Sequence, residues 1–278
     1  MRARKNALAA ALPATALLSV LFILPILFVA VSGFKQDGTK FYVKFFSDPY
    51  YRDILITTVL TALRVTFFAL LLGYPTAYFI ARSTSKYKNV FLIMTVFPFL
   101  VSAIVRAYGW QVLLGDTGVL NQILLGIGLV KKPVKILYTM TGVTIGLVHL
   151  LIPYMILSIA GVIQNIPRNL EAAAESLGAN RLTVWRKVIL PLSLPGVITG
   201  CILVFSVSMT AFVTPRLLGG ARIKLMSTMI YQEVNAAFNW PMAAAISFIL
   251  LGTILFFLLA ANLATANAMN RLGGGKRA

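Results

Sequence analysis

The sequence predicts an all-α, polytopic membrane protein with six transmembrane helices, and three observations lead there. Hydrophobic residues make up 59% of its 278 positions and charged residues 12%, about half the charged share of an ordinary soluble domain. Apolar stretches long enough to cross a hydrocarbon layer, about 20 residues each, recur along the whole chain. Charged and turn-forming residues fall between them.

The spans follow in order. Arg2, Arg4 and Lys5 precede an uncharged run from Asn6 to Phe34, too long for a signal-peptide core, and the first span is read at 12–31. The polar segment 35–53, with a turn at Asp48-Pro49, is an external loop. The second span, 54–80, contains Arg64 and has Gly73-Tyr74-Pro75 near its end, where proline is expected to kink or terminate the helix unless neighbours re-satisfy the freed carbonyl. Arg82, Lys86 and Lys88 come next. The third span, 90–113, is interrupted by Pro98 and carries Arg106, Tyr108 and Trp110. Beyond it Gln111, Asp116 and Asn121 read as a wet end, and 117–130 as an interfacial helix outside. The fourth, 141–163, has His149 at its middle and Gly142-x-x-x-Gly146, a spacing that permits close helix approach. Pro191 and Pro195 are expected to separate a charged loop, 165–191, from the fifth span at 196–213. An external segment, 214–241, and the sixth span, 242–263, lead to a basic tail with Arg271, Lys276 and Arg277. The whole chain, 1–278, reads as one membrane domain.

Charge and composition narrow the function. The formal net charge of +18 would suit a nucleic acid, but the basic residues lie in small groups between apolar runs and form no stripe, which argues against that partner. Cys201 is the only cysteine, so neither a disulfide framework nor a cysteine-based metal cluster is expected. No Gly-x-x-x-x-Gly-Lys-[Ser/Thr] loop occurs, so the chain is expected to bind no ATP and to carry no cofactor of its own. With one His and seven acids scattered among loops, no catalytic constellation is visible, and the reading is not an enzyme. Lys and Arg are slightly more numerous on the side of the N-terminus, which places both termini and the 165–191 loop in the cytoplasm.

That loop has structure of its own. Pro167 suits the first turn of a helix and Gly178 a left-handed C-terminal turn, predicting a helix of about three turns. Leu170, Ala173, Ala174 and Leu177 recur at helical spacing as a small apolar face, while Glu171 and Glu175 stand one turn apart on another. The run Ala172-Ala173-Ala174, then Gly178, Val188 and Leu190-Pro191, resembles the EAA loop of ATP-binding-cassette importer permeases. That motif reads Glu-Ala-Ala, three residues, Gly, nine residues, Ile, one residue, Leu-Pro. Ala172 stands where the glutamate belongs, with Glu171 one place earlier, and Val188 replaces the isoleucine. The stretches Arg106 to Gly115, Gly118 to Asn121 and Phe212 to Gly220 resemble those of spermidine/putrescine-type permeases.

The resemblance implies a type I importer permease fold in the bacterial inner membrane, with a cytoplasmic coupling helix. It also implies partners: a cytoplasmic ATPase dimer that binds ATP and Mg, a second, different permease lobe, a periplasmic solute-binding protein, and membrane lipid. Leu170, Glu171, Ala172, Ala173, Ala174, Glu175, Leu177 and Gly178 are then the residues that couple to the ATPase. The expected substrate is a polyamine or a related small organic solute. Arg106, Tyr108, Trp110, Asp116, Tyr231, Glu233 and Trp240 are the candidate path residues, since aromatic and acidic groups suit a cation. Lys131, Lys132, Lys135, Arg222 and Lys224 nevertheless make the same side basic. Arg64 is expected to snorkel toward an interface, and His149 to be a hydrogen-bonded helix contact. The alternative is an ion-coupled secondary transporter, a class that usually places ionisable groups, carboxylates among them, at mid-membrane. The spans of this chain carry no carboxylate.

Overall fold

A chain this apolar has to satisfy its backbone hydrogen bonds internally, and nearly all of it is helical. The computed structural model describes residues 2–34 and 39–272, and no strand occurs among them. In chain order the helices are α1 (Arg2–Phe34), α2 (Lys40–Ser47), α3 (Pro49–Arg82), α4 (Lys88–Leu100), α5 (Ala103–Leu114), α6 (Val119–Gly126) and α7 (Met140–Gln164). There follow α8 (Asn169–Ser176), α9 (Arg181–Val184), a π-helical turn (Trp185–Ile189), α10 (Leu190–Thr210), α11 (Val213–Gly219), α12 (Met226–Asn235) and α13 (Trp240–Leu272). Four helical stretches, in α3, α7, α9 to α10, and α13, are long and apolar enough to cross a membrane. α4 with α5 and α6 forms a fifth that is bent by 99°, and α1 carries a further apolar stretch at Thr15–Val31. Parts of the 35–53 loop and of the basic tail lie outside the described residues.

The chain divides into two compact units, Met1–Asp53 with Met229–Leu251 and Ile54–Thr228 with Gly252–Ala278. In the first, Phe45 is wholly buried and stacks with Tyr51 at a ring-centroid distance of 5.7 Å. The second unit is built around α7. Leu147, Leu151, Met155, Ile159 and Ile163 of that helix are fully buried and pack with Val65, Ala69 and Ala77 of α3 and Val204 of α10.

Glycines let α10 approach α7 closely. A Cβ on Gly196 would stand 2.8 Å from the Ser158 carbonyl oxygen, and one on Gly200 would stand 2.7 Å from the Met155 sulfur. Gly73 of α3 meets the same Met155, where a Cβ would lie 3.0 Å from Cγ. With no large apolar force between helices in lipid, such close contact supplies the association energy. Gly196-x-x-x-Gly200 is the small-residue pair between α10 and α7. Gly142 and Gly146 serve other contacts: Gly146 faces Thr214 and Leu218 of α11, and Gly142 faces the Ile136 carbonyl.

The third span is interrupted near Pro98, as expected: the break falls after Leu100, where Val101 is extended, and Pro98 stands in the last turn before it. Two other readings of proline are corrected. Pro75 neither ends nor breaks α3, which continues to Arg82. Pro191 and Pro195 do not part the loop from the fifth span. Pro191 sits in the first turn of α10, where a missing N–H costs least. The wider π turn before it joins α9 to α10 without an interruption. The region read as a wet end is tied down as well. Asn121 is buried, donates to the carbonyls of Gly115 and Val134, and accepts from the Val134 N–H.

Replacing Gly200 by Leu should therefore wedge α10 away from α7, with a loss of about 1–3 kcal/mol, the usual cost of overpacking. A lower thermal midpoint of the detergent-solubilised chain is the readout. Gly161→Ala, which places its methyl in open space, serves as the control and should leave the midpoint unchanged or raise it.

Candidate functional site: the 165–191 loop and the α3–α7 groove

The charged loop folds as two short helices. α8 covers Asn169–Ser176, about two turns rather than three, because Pro167 lies before its cap at Arg168 and not inside the first turn. Gly178 closes it with φ +85°, the left-handed conformation that glycine adopts without cost. Asn180 then caps α9, its side chain accepting from the Thr183 N–H at 2.8 Å.

One ion pair orients this loop. The guanidinium of Arg82, the last residue of α3, stands 2.6 Å from Glu171 Oε1. From the same Nη2 it donates to the Ile166 carbonyl at 3.1 Å. Arg168 returns a hydrogen bond to the Arg82 carbonyl, also 3.1 Å. The end of α3 and the start of α8 are thereby locked to each other. Glu171 is drawn inward by this contact, while Glu175 remains exposed. Leu170, Ala172, Ala173, Leu177 and Gly178 are exposed as well, and Ala174 is half-buried. Leu177, with 89% of its surface open, and Leu182 at 70% are apolar side chains with little of this chain covering them. A rigid helix that shows small and apolar residues outward is shaped to enter a groove on another protein. The glutamate one place before the motif position is thus an internal strut. Sequence reasoning missed Arg82, since a basic residue ending a span ordinarily signals no more than an interface.

The candidate path residues are scattered. Arg106 reaches back from α5 and donates to the Pro98 carbonyl, so it closes the break between α4 and α5. Trp110 donates from Nε1 to His149 Nδ1 at 3.2 Å, with the rings edge to face at 5.5 Å. This gives His149 the helix contact expected of it. Gln111 donates to the Leu217 carbonyl at 2.7 Å and ties α5 to α11. Tyr108 and Asp116 are exposed. Tyr231, Glu233 and Trp240 belong to the other unit. There Glu233 is buried, with 8% of its surface open, and Tyr231 and Trp240 are exposed. Burial holds the Glu233 carboxyl above the usual carboxylate range, and the charge of Lys44 partly offsets this.

The second unit also contains a groove. A cavity of about 580 Å³ lies between α3, α5 and α7, lined among others by Arg64, Phe68, Trp110, Thr141 and His149. A second, of about 640 Å³, is lined by residues of α3, α4 and α7 and shares His149 and Ile152 with the first. Arg64 lines the first of these cavities and is exposed.

Cutting the strut should free α8 while leaving the spans intact. Arg82→Ala leaves Glu171 without its cation, and breaking a largely buried pair costs on the order of 3 kcal/mol. The expected readout is faster proteolysis at 165–180 in the folded, detergent-solubilised protein, with Glu171→Gln giving a smaller effect. Unchanged cleavage in both variants would show that the pair does not hold the loop.

Comparison with known proteins agrees with this architecture. Residues 69–267 match the family described as "Binding-protein-dependent transport system inner membrane component". The chain is 36% identical over 248 residues to the spermidine/putrescine transport system permease protein PotB of Haemophilus influenzae, covering 85% of this chain and 87% of that one. It is 34% identical over 238 residues to the PotB protein of Escherichia coli, covering 82% and 86%. Among solved structures, a bacterial ABC transporter that imports the acidic polysaccharide alginate superposes with TM-score 0.77 at 21% identity, covering 95% of this chain and 96% of that one. A bacterial alginate ABC transporter in complex with an alginate pentasaccharide-bound periplasmic protein superposes with TM-score 0.77 at 20% identity, covering 93% of each chain. The MetNI methionine ABC transporter superposes with TM-score 0.59 at 15% identity, covering 80% of this chain and 99% of that one. The fold is that of a type I importer permease, and the chain belongs to the inner membrane components of binding-protein-dependent transport systems, the translocating and non-enzymatic subunits of ABC importers.

Proposed function

We propose that this chain is one lobe of an ATP-driven importer for polyamines or related small organic solutes. The observation that carries the reading is α8, a rigid helix with an outward apolar face, pinned by Arg82 and Glu171 to the end of a membrane span. The likeness to PotB proteins supports the solute class. A cytoplasmic ATPase dimer, which binds ATP and Mg, takes the face formed by Leu170, Ala172, Ala173, Ala174 and Leu177. A second, different permease completes the path, and a periplasmic binding protein delivers the solute. The assembly sits in the bacterial inner membrane with both termini in the cytoplasm.

The strut suggests how force passes. When the ATPases close, they carry α8 with them, and the Arg82–Glu171 pair passes that displacement to α3 as a rigid-body motion. α3 and α7 pack through Gly73 and Met155, so α7 moves too, and the groove they border alternates between the two sides. Leu177 and Gly178, at the end of α8, complete the face, and Glu175 at its exposed edge can meet a basic group on the ATPase.

Purification of the chain after expression with its genomic neighbours should recover a Walker-motif ATPase and a second six-span protein. Recovery of the chain alone, with uptake that persists without ATP and collapses with the proton gradient, would favour an ion-coupled transporter. In the assembled complex Ala173→Asp should abolish ATP-coupled uptake by placing a charge in the docking face; unchanged assembly and uptake would sink the docking assignment. Glu233→Gln should alter the Michaelis constant for a cationic solute if Glu233 borders the external path.

A further inference from the structure

Three helices place a proline on one cavity. The space of about 640 Å³ is lined by Pro75 of α3, Pro98 of α4 and Pro153 of α7, and each proline lacks the N–H that would otherwise bond the carbonyl four residues earlier. For two of them that carbonyl belongs to a residue of the same wall. From α7 the cavity is lined by His149, Ile152, Pro153 and Ile156, the i, i+3, i+4 and i+7 positions of one helix face. From α4 it is lined at the same spacing by Phe91, Met94, Thr95 and Pro98. The carbonyls of His149 and Met94, which in a helix run parallel to its axis toward the residue four places on, thus point along the lining face at a proline ring. For Pro75 the carbonyl is that of Leu71, which does not line the cavity.

Two threonines of the wall add further acceptors. Thr76 donates its hydroxyl proton to the Leu72 carbonyl and Thr95 to the Phe91 carbonyl, both at 2.8 Å, which leaves each oxygen with lone pairs only. Phe79 and Phe91 meet edge to face at 5.4 Å on the same wall, and the face of such a ring attracts an ammonium group. The chain already serves nitrogen cations in this way. The Arg106 guanidinium, outside the lining, is held by the Pro98 carbonyl, and that of Arg82 takes the Ile166 carbonyl.

A carbonyl that has lost its helical partner inside a hydrocarbon layer needs another donor. An alkylammonium brings N–H donors on an apolar stem, which matches a wall of oxygens and aromatic rings. Uncharged oxygens can replace its hydration and still release it, as a transport path requires. We propose that this cavity holds an ammonium group of the transported amine through the His149 and Met94 carbonyls that Pro153 and Pro98 leave without a helical N–H, beside the rings of Phe79 and Phe91. The proposal rests on the importer reading for polyamines and adds to it the groups that take the cation. Every group it uses belongs to α3, α4 or α7 of this chain.

The missing N–H can be restored, and removed again, by changing one atom. Pro153→Ala restores it. The α-hydroxy analogue of alanine, inserted at position 153 by nonsense suppression, keeps the methyl side chain but has an ester oxygen in place of the N–H. The same pair of changes is made at position 98. The complete importer, with its ATPase, second lobe and binding protein, is reconstituted in proteoliposomes, and ATP-dependent uptake of radiolabelled putrescine is measured. Co-purification of all subunits verifies that each variant folds, and the regained helical hydrogen bond should leave the thermal midpoint of the Ala variants unchanged or raise it. The expected result is uptake lower by about tenfold or more in Pro153→Ala, as loss of a hydrogen bond to a charged group predicts, with most of it recovered in the α-hydroxy analogue. Position 98 should show the same pattern with a smaller loss. Wild-type uptake in both Ala variants overturns the proposal and assigns the ammonium to other groups, acids of the second lobe among them. Equal loss in an Ala variant and its α-hydroxy analogue overturns it as well, because the proline ring and not the missing N–H then matters. Failure of the wild-type chain to bring an ATPase or a second lobe, by contrast, is failure of the importer reading itself.

Discussion

Backbone groups inside a hydrocarbon layer find no water, so every interruption of a helix there needs a partner from the chain itself. This constraint accounts for the placement of three long polar side chains in the second unit. Arg106 meets the Pro98 carbonyl at the break in the third span. Gln111 meets the Leu217 carbonyl at the next junction. Arg82 meets the Ile166 carbonyl where α7 gives way to the loop. A basic residue near a helix end is ordinarily read as a mark of the interface; here two of them close the ends of broken or finished helices.

The same economy shapes the coupling loop. Arg82 closes a carbonyl and neutralises Glu171 with one guanidinium, so α8 is fixed in direction although it is only two turns long. An isolated helix of that length has little stability in water. The strut supplies what length cannot, and the apolar residues can then face outward without collapsing onto the membrane domain. Close packing does the corresponding work inside the membrane, where Gly73, Gly196 and Gly200 bring α3 and α10 against Met155 and Ser158 of α7.

Much of this was legible in the residues. Composition and the spacing of apolar runs identified a helical membrane protein, and the charged segment with Pro167 and Gly178 marked a helix between spans. Reading proline as a boundary failed at Pro191, which sits in the first turn of α10 after a wider π turn, and Pro75 lies inside an unbroken α3; no local pattern reveals either. Gly196 and Gly200 have the same spacing as Gly142 and Gly146, so spacing could not tell which element each meets. Only the neighbour across the contact does: α7 for Gly196 and Gly200, α11 for Gly146.

By itself, the sequence determined the class of the molecule: the hydropathy of 278 residues, the absence of a phosphate-binding loop, and a loop whose glycine and Leu-Pro spacing matches the permease motif. These are properties of neighbours along the chain, and they survive without a fold. Tertiary structure alone decided that Glu171 points inward to Arg82, that Arg106 closes the break in the third span, and that Arg64 lines a cavity. Arg82 and Glu171 are far apart along the chain, and the energy of a charge depends on what surrounds it in space. Sequence order carries no record of that surrounding until the helices have packed.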